Sequence, residues 1–167
     1  MLRQFWPEHA ARDEIPLAFW QIQDEDLLFD ALQYLPCNVF TRGGRSGQGL
    51  DEAEIAALPQ GWGLLIAVFH LEDEFANEGW DGIANLGEGE LLDVIAAYEQ
   101  LGLPQRAQAL RRVLAVYRQG RTDEDALSQA AAGELPNLVD DEAAIRVLTA
   151  YVRADPARRF GVLPEPD

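Results

Sequence analysis

The chain has 167 residues and a mass of 18.5 kDa, room for one domain. An apolar share of 48% excludes wholesale disorder. A net charge of −16, from 29 acids against 13 basic residues that are all Arg, excludes the basic footprint of an ordinary nucleic-acid binder and disfavours docking on anionic lipid.

Residues 1–30 lack the apolar core of a secretory leader, because Glu8, Asp13, Glu14 and Asp24-Glu25-Asp26 interrupt them. A cytoplasmic, reduced protein is the expectation. A single cysteine, Cys37, excludes an intramolecular disulfide and any multi-cysteine zinc site. With no histidine nearby in sequence, Cys37 reads as buried and inert.

The first helical pattern covers 24–35, with Asp24 as N-cap and Leu27, Leu28, Ala31, Leu32 and Leu35 on one stripe. Pro36 should stop it. The only weak strand candidates are 15–22 and 38–40. Residues 41–49 (TRGGRSGQG) read as a surface loop. Arg42 and Arg45 among glycines raise phosphate binding, but the Lys-Ser/Thr ending of a P-loop is missing and no clear strand precedes. Residues 51–57 predict a short helix with acids in its first turn.

Residues 60–76 are apolar nearly all round, which predicts a central buried helix. The longest uncharged stretch, 55–71, is shorter than the roughly 20 apolar residues a membrane span needs. Glu72, Asp73 and Glu74 sit at the helix end where negative charge opposes the dipole, a hint that they serve something else. Residues 89–101 and 104–119 predict an antiparallel hairpin punctuated by Gly102 and Pro104. Arg106, Arg111, Arg112 and Arg118 fall away from its inward stripe. Thr122 to Asp125 reads as a capping box for a helix over 123–131. A last helix covers 140–154, Pro156 ends it, and the tail over 156–167 is expected to be loose. With no repeat and no linker, the reading is one all-α domain over 1–167.

His70 and Glu74, four apart on a helix, have metal-ligand spacing, but no third ligand is evident in the sequence and no metal or other cofactor is expected. The stretch 77–88 (NEGWDGIANLGE) is the most distinctive. Glycines and asparagines surround the apolar anchors Trp80 and Ile83, the chemistry of an ordered turn between two helices. Trp80 should pin it to the core.

Together with the helix pair that follows, this segment resembles a bacterial domain family of unknown function that includes a DNA-mimic protein. Asn77, Gly79, Trp80, Ile83, Asn85, Gly87 and Glu88 carry the resemblance, over about 60–118. Glu78 stands where the family usually has Gly, and Trp80 where Phe is usual. The resemblance implies a mimic of DNA and a homodimer.

The charge distribution fits that implication. Residues 13–105 hold 18 acids against two Arg. Duplex DNA presents a charge about every 1.7 Å, and carboxylates one helical turn apart lie roughly 5–6 Å apart at Cβ, so several helices must combine. The candidate face is Asp51, Glu52, Glu54, Glu72, Asp73, Glu74, Glu78, Asp81, Glu88 and Glu90. The expected partner is a basic protein, either a DNA-binding protein or a toxin blocked by an immunity-type protein. Direct nucleic-acid or membrane binding is not expected. Two alternatives stay open: a small helical enzyme or ligand-binding domain with a carboxylate pocket near Trp80, and acidity that serves only solubility. Asn77, Gly79, Trp80, Ile83, Asn85 and Gly87 are expected to act on structure.

Overall fold

The structure, a computed structural model, describes residues 17–38, 53, 58–135 and 137–161. Among these residues the regular structure is helical throughout, an all-α fold. The helices are α1 (Leu17–Trp20), α2 (Glu25–Asn38), α3 (Gln60–Glu78), α4 (Trp80–Asn85), α5 (Glu88–Leu101), α6 (Pro104–Tyr117), α7 (Glu124–Ala131), α8 (Glu142–Ala154) and α9 (Pro156–Phe160). A 3₁₀ turn, Leu138–Asp140, precedes α8. The expected 41–49 loop, the 51–57 helix apart from Ala53, Asp51, Glu52 and Glu54, and the residues after 161 lie outside the described residues. The Cys37 side chain does too.

Contacts divide the chain into two units: Met1–Leu65 with Leu148–Asp167, and Ile66–Val147. In the first unit, Asp24 caps α2 as its sequence predicts, accepting the Leu27 N–H at 3.1 Å. Leu28, Ala31 and Leu32 are buried, joined by Phe29, which the stripe omitted. The helix does not stop before Pro36 but continues to Asn38. A proline this close to the end forfeits only the bond its missing N–H would have given Leu32. Residues 17–20 form a helical turn rather than a strand.

The aromatic centre of this unit is Trp20, Trp62 and Phe160. Trp20 stacks on Phe160 at 4.8 Å between ring centroids, and Trp62 meets the same ring edge-on at 5.1 Å. The Trp62 indole N–H donates to the Phe160 carbonyl at 3.3 Å. The segment after Pro156, expected to be loose, thus begins as an anchored helix. Pro156 ends α8 but also opens α9, where a missing N–H costs nothing. Asp155 caps α9 through the Arg158 N–H at 3.2 Å.

In the second unit, α5 and α6 form the expected antiparallel hairpin. Arg111 pairs with Glu99 and Arg118 with Glu88, both at 2.6 Å, which fixes the register. The turn is a Schellman motif: the Leu103 N–H bonds the Tyr98 carbonyl and the Gly102 N–H bonds that of Glu99. Leu91, Val94, Ile95, Tyr98 and Leu101 of α5 face Ala107, Leu110, Val113 and Leu114 of α6, all buried. Each such aliphatic contributes about 1.5–3 kcal/mol by leaving water. The α7 cap is Asp123, one residue after the predicted Thr122, and it accepts the Ala126 N–H at 2.9 Å. Arg112 closes the other end of α7 by donating to the Ala130 carbonyl at 2.9 Å and to Glu134 at 2.6 Å.

α3 contributes residues to both units. It buries Trp62, Leu65, Val68 and Leu71, while Ile66, Phe69 and Phe75 are half-buried. The sequence hides an exposed side on its last turns, formed by His70, Asp73 and Asn77.

Candidate functional site

The distinctive 77–88 stretch is the corner between α3 and α5. Gly79 ends α3 with φ 63° and ψ −141°, a conformation favourable only for glycine, and starts α4. At Gly82, α4 lies directly on the α3 backbone, and a Cβ there would collide with the Glu74 carbonyl. Ile83 and Leu86 are the deep anchors, at 2% and 4% exposure. Trp80 is only half-buried and meets Phe75 edge-on at 5.4 Å. Asn77 is exposed. Asn85 donates to Glu78 Oε2 at 3.2 Å, tying α4 to the end of α3. The Gly87 N–H donates to Glu90 Oε2 at 2.7 Å, which starts α5 in the manner of a capping box.

This geometry lowers the weight on Trp80. Trp80→Ala should cost about 2 kcal/mol, below the roughly 3–5 kcal/mol of a fully buried aromatic. Urea denaturation measures it. A loss of partner binding with unchanged stability would instead make the ring part of a binding surface.

The corner gathers candidate acids from three helices. Asp73, Glu78, Asp81, Glu88 and Glu90 are exposed and Glu74 is half-buried. Glu88 is neutralised by Arg118. Among the described residues, no arginine pairs with Asp73, Glu74, Glu78, Asp81 or Glu90. His70 lies between two of them, with Nδ1 3.9 Å from Glu74 and Nε2 3.7 Å from Glu90. No group of three or more His, Cys, Asp or Glu among the described residues has the arrangement to hold a metal ion.

Glu72 departs from the expected face. Its side chain is 11% exposed and turned inward. Oε2 accepts the Asn137 and Leu138 N–H groups at 3.0 and 2.8 Å, and Oε1 accepts from the Tyr98 hydroxyl at 3.3 Å and from Arg106 at 3.5 Å. Arg106, expected away from the core, is buried between Glu72 and Asp141, donating to Asp141 at 3.0 Å.

Burial pushes the Glu72 carboxyl above the usual glutamate range, against the opposing pull of the Leu138 N–H and the Arg106 charge. Burial and then the Glu72 charge push the Tyr98 phenol up. The Ala144 N–H, with Arg106, holds Asp141 below the usual aspartate range.

The sequence carries a signal for this node. Glu72 follows Val68 by four and Leu65 by seven, and Arg106 precedes Leu110 by four and Val113 by seven. Opposite charges on two apolar helix faces point to each other, because a buried charge requires a partner.

No described helix is long and apolar enough to cross a membrane. The family model described as DMP19-like protein matches residues 56–155, more than half of the chain. No curated protein and no solved structure matches.

Proposed function

Because the chain belongs to the DMP19-like protein family, we propose that it is a non-enzymatic acidic protein that occupies the DNA-binding surface of a basic protein. The observation that carries this reading is the set of acids on α3, α4 and α5 that have no arginine partner among the described residues: Asp73, Glu74, Glu78, Asp81 and Glu90. The same chain neutralises other acids, pairing Glu88, Glu99, Glu134 and Glu142 with arginines. Acids gathered at one corner without a neutralising cation carry a self-repulsion that a basic partner would relieve. The family resemblance to a DNA mimic points the same way.

The test is affinity capture on the immobilised chain at low salt, with stepwise salt elution. The reading expects a basic protein that elutes at moderate salt, because exposed charges are screened within about 8 Å at physiological ionic strength. The Asp73→Lys/Asp81→Lys chain should fail to retain it. Both residues are exposed and make no described ion pair, so folding should be unaffected. Retention of a basic toxin that duplex DNA does not displace would favour the immunity-type reading. Salt-insensitive retention, equal for both chains, would contradict the acidic-surface reading.

A further inference from the structure

Little apolar surface holds α7 to its neighbours. Of its eight residues only Ala126, Leu127 and Ala131 are buried, and two of these are alanines. The chain on either side is exposed, over 118–125 before the buried pair and over 132–134 after the helix. Gly120 lies in the first of these runs with φ 74°, and a Cβ there would meet only open space. A short helix with so few buried side chains, set between two solvated turns, belongs to the low-stability end of a fold.

The C-terminal end of α7 is strained and is held from outside. Ala132 adopts the left-handed conformation, φ 55° and ψ 32°, although Gly133 stands beside it. Alanine is strained there where glycine is not. α7 has no basic residue in its own last turn. The cation comes from α6: Arg112 Nε donates to the Ala130 carbonyl at 2.9 Å, and Nη2 donates to the Ala131 carbonyl at 3.3 Å and to Glu134 at 2.6 Å. One guanidinium thus satisfies carbonyls that the helix end leaves without an internal donor. Further on, Glu72 fixes the Asn137 and Leu138 N–H groups at 3.0 and 2.8 Å. α7 packs against α6 and also lies against α4, the short helix of the acidic corner.

We propose that residues 119–135 form a latched flap that swings off α6 and α4 as a unit while the α5–α6 hairpin stays folded. Arg112 is the latch, and the strain at Ala132 biases the flap towards opening. Gly120 is the hinge, and the turn held by Glu72 is the fixed point. Opening uncovers α4, so the flap sets how firmly the corner carrying Asp81 is held. Any effect on partner capture rests on the acidic-surface reading; the flap itself does not.

The experiment is native-state hydrogen exchange on the full chain, followed by NMR over a range of low urea concentrations. The α7 amides should exchange at least about tenfold faster than the slowest amides of α5 and α6. Their urea dependence should be shallow, because the opening exposes little surface. The α4 amides should follow those of α7. Arg112→Gln should speed α7 exchange about tenfold by removing charge-assisted bonds. Ala132→Gly should slow it about fivefold by releasing the strain. Ile95→Val weakens a hairpin contact that the open form keeps. It should speed the slowest α5 and α6 amides about three- to tenfold and leave α7 unchanged. An α7 that shares the steep urea dependence of the hairpin, or that quickens equally in Ile95→Val, would overturn the flap. Unchanged α7 exchange in Arg112→Gln would overturn the latch, unchanged exchange in Ala132→Gly the strain, and an α4 that stays protected the coupling to the corner. Partner capture is not read here, so each of these failures leaves the acidic-surface reading standing.

Discussion

Glu72→Ala is expected to destabilise the protein by about 3–5 kcal/mol, although Glu72 belongs to a run of three acids whose other members face outward or are half-buried. The side chain is the acceptor for two backbone N–H groups of the turn before α8, and for the Tyr98 hydroxyl. It also faces Arg106, whose side chain is 7% exposed. Removing it leaves that guanidinium with Asp141 alone and strands the Leu138 N–H and the Tyr98 hydroxyl in a poorly solvated place. Glu72→Gln keeps the shape and one acceptor and should cost less. Asp73→Ala, on the exposed side of the same helix, should change stability by less than about 0.5 kcal/mol. The midpoint of urea unfolding, at constant slope, separates these cases. A Glu72→Ala chain as stable as Asp73→Ala would show that Glu72 is solvated after all.

The node also gives two acid-dependent contributions of opposite sign. Asp141 is held below its usual range, so its stabilisation is complete above that range and is lost as pH falls through the lowered value. Glu72 is held above its usual range, so stability declines as pH rises from the usual value through the raised one. Asp141→Asn should remove the first of these and, because both carboxyls share Arg106, also alter the second.

Phe160→Ala is the other large effect, about 3–5 kcal/mol. The ring is 2% exposed and contacts Trp20 and Trp62 at 4.8 and 5.1 Å between centroids. Truncation opens a cavity between two indoles that cannot readily collapse, and forfeits aromatic contacts worth about 0.5–1.5 kcal/mol each. Phe160→Leu fills much of the space and should cost less. The measurement is again the unfolding midpoint, with tryptophan fluorescence reporting on Trp20 and Trp62. A neutral Phe160→Ala would mean that α9 is not docked.

These two residues show where the sequence is legible and where it is not. Regular, long-period patterns translate directly. The α5–α6 hairpin follows from apolar spacing plus Gly102 and Pro104, and the start of α2 follows from Asp24. Short elements do not translate, because five residues hold too little periodicity to see. Asp155-Pro156 is both the end of α8 and the start of α9, and composition reads only the first meaning. Phe160 lies beside Arg158 and Arg159, with nothing in its spacing to mark it as buried.

Charge is legible as a total but not in its direction. Glu72 and Asp73 are neighbours in a run of acids, yet the helical turn of about 100° per residue sends one inward and the other to solvent. The apolar spacing around Glu72 and Arg106 contains that information only when both helices are considered together. At the 77–88 corner, the glycines and Ile83 lie where an ordered turn needs them. The sequence overstated Trp80, because a large ring need not be the deepest one. Leu86, adjacent to Gly87, carries burial that the motif reading left unassigned.

The central claim is that the unpaired acids compete with DNA for a basic protein. The most direct measurement loads a native lysate on duplex-DNA resin at low salt and elutes it with the purified chain. The account predicts that wild type releases a specific DNA-bound protein, with release declining as salt rises, and that Asp73→Lys/Asp81→Lys at equal concentration releases much less. Release of nothing, or equal release by both chains, would contradict it.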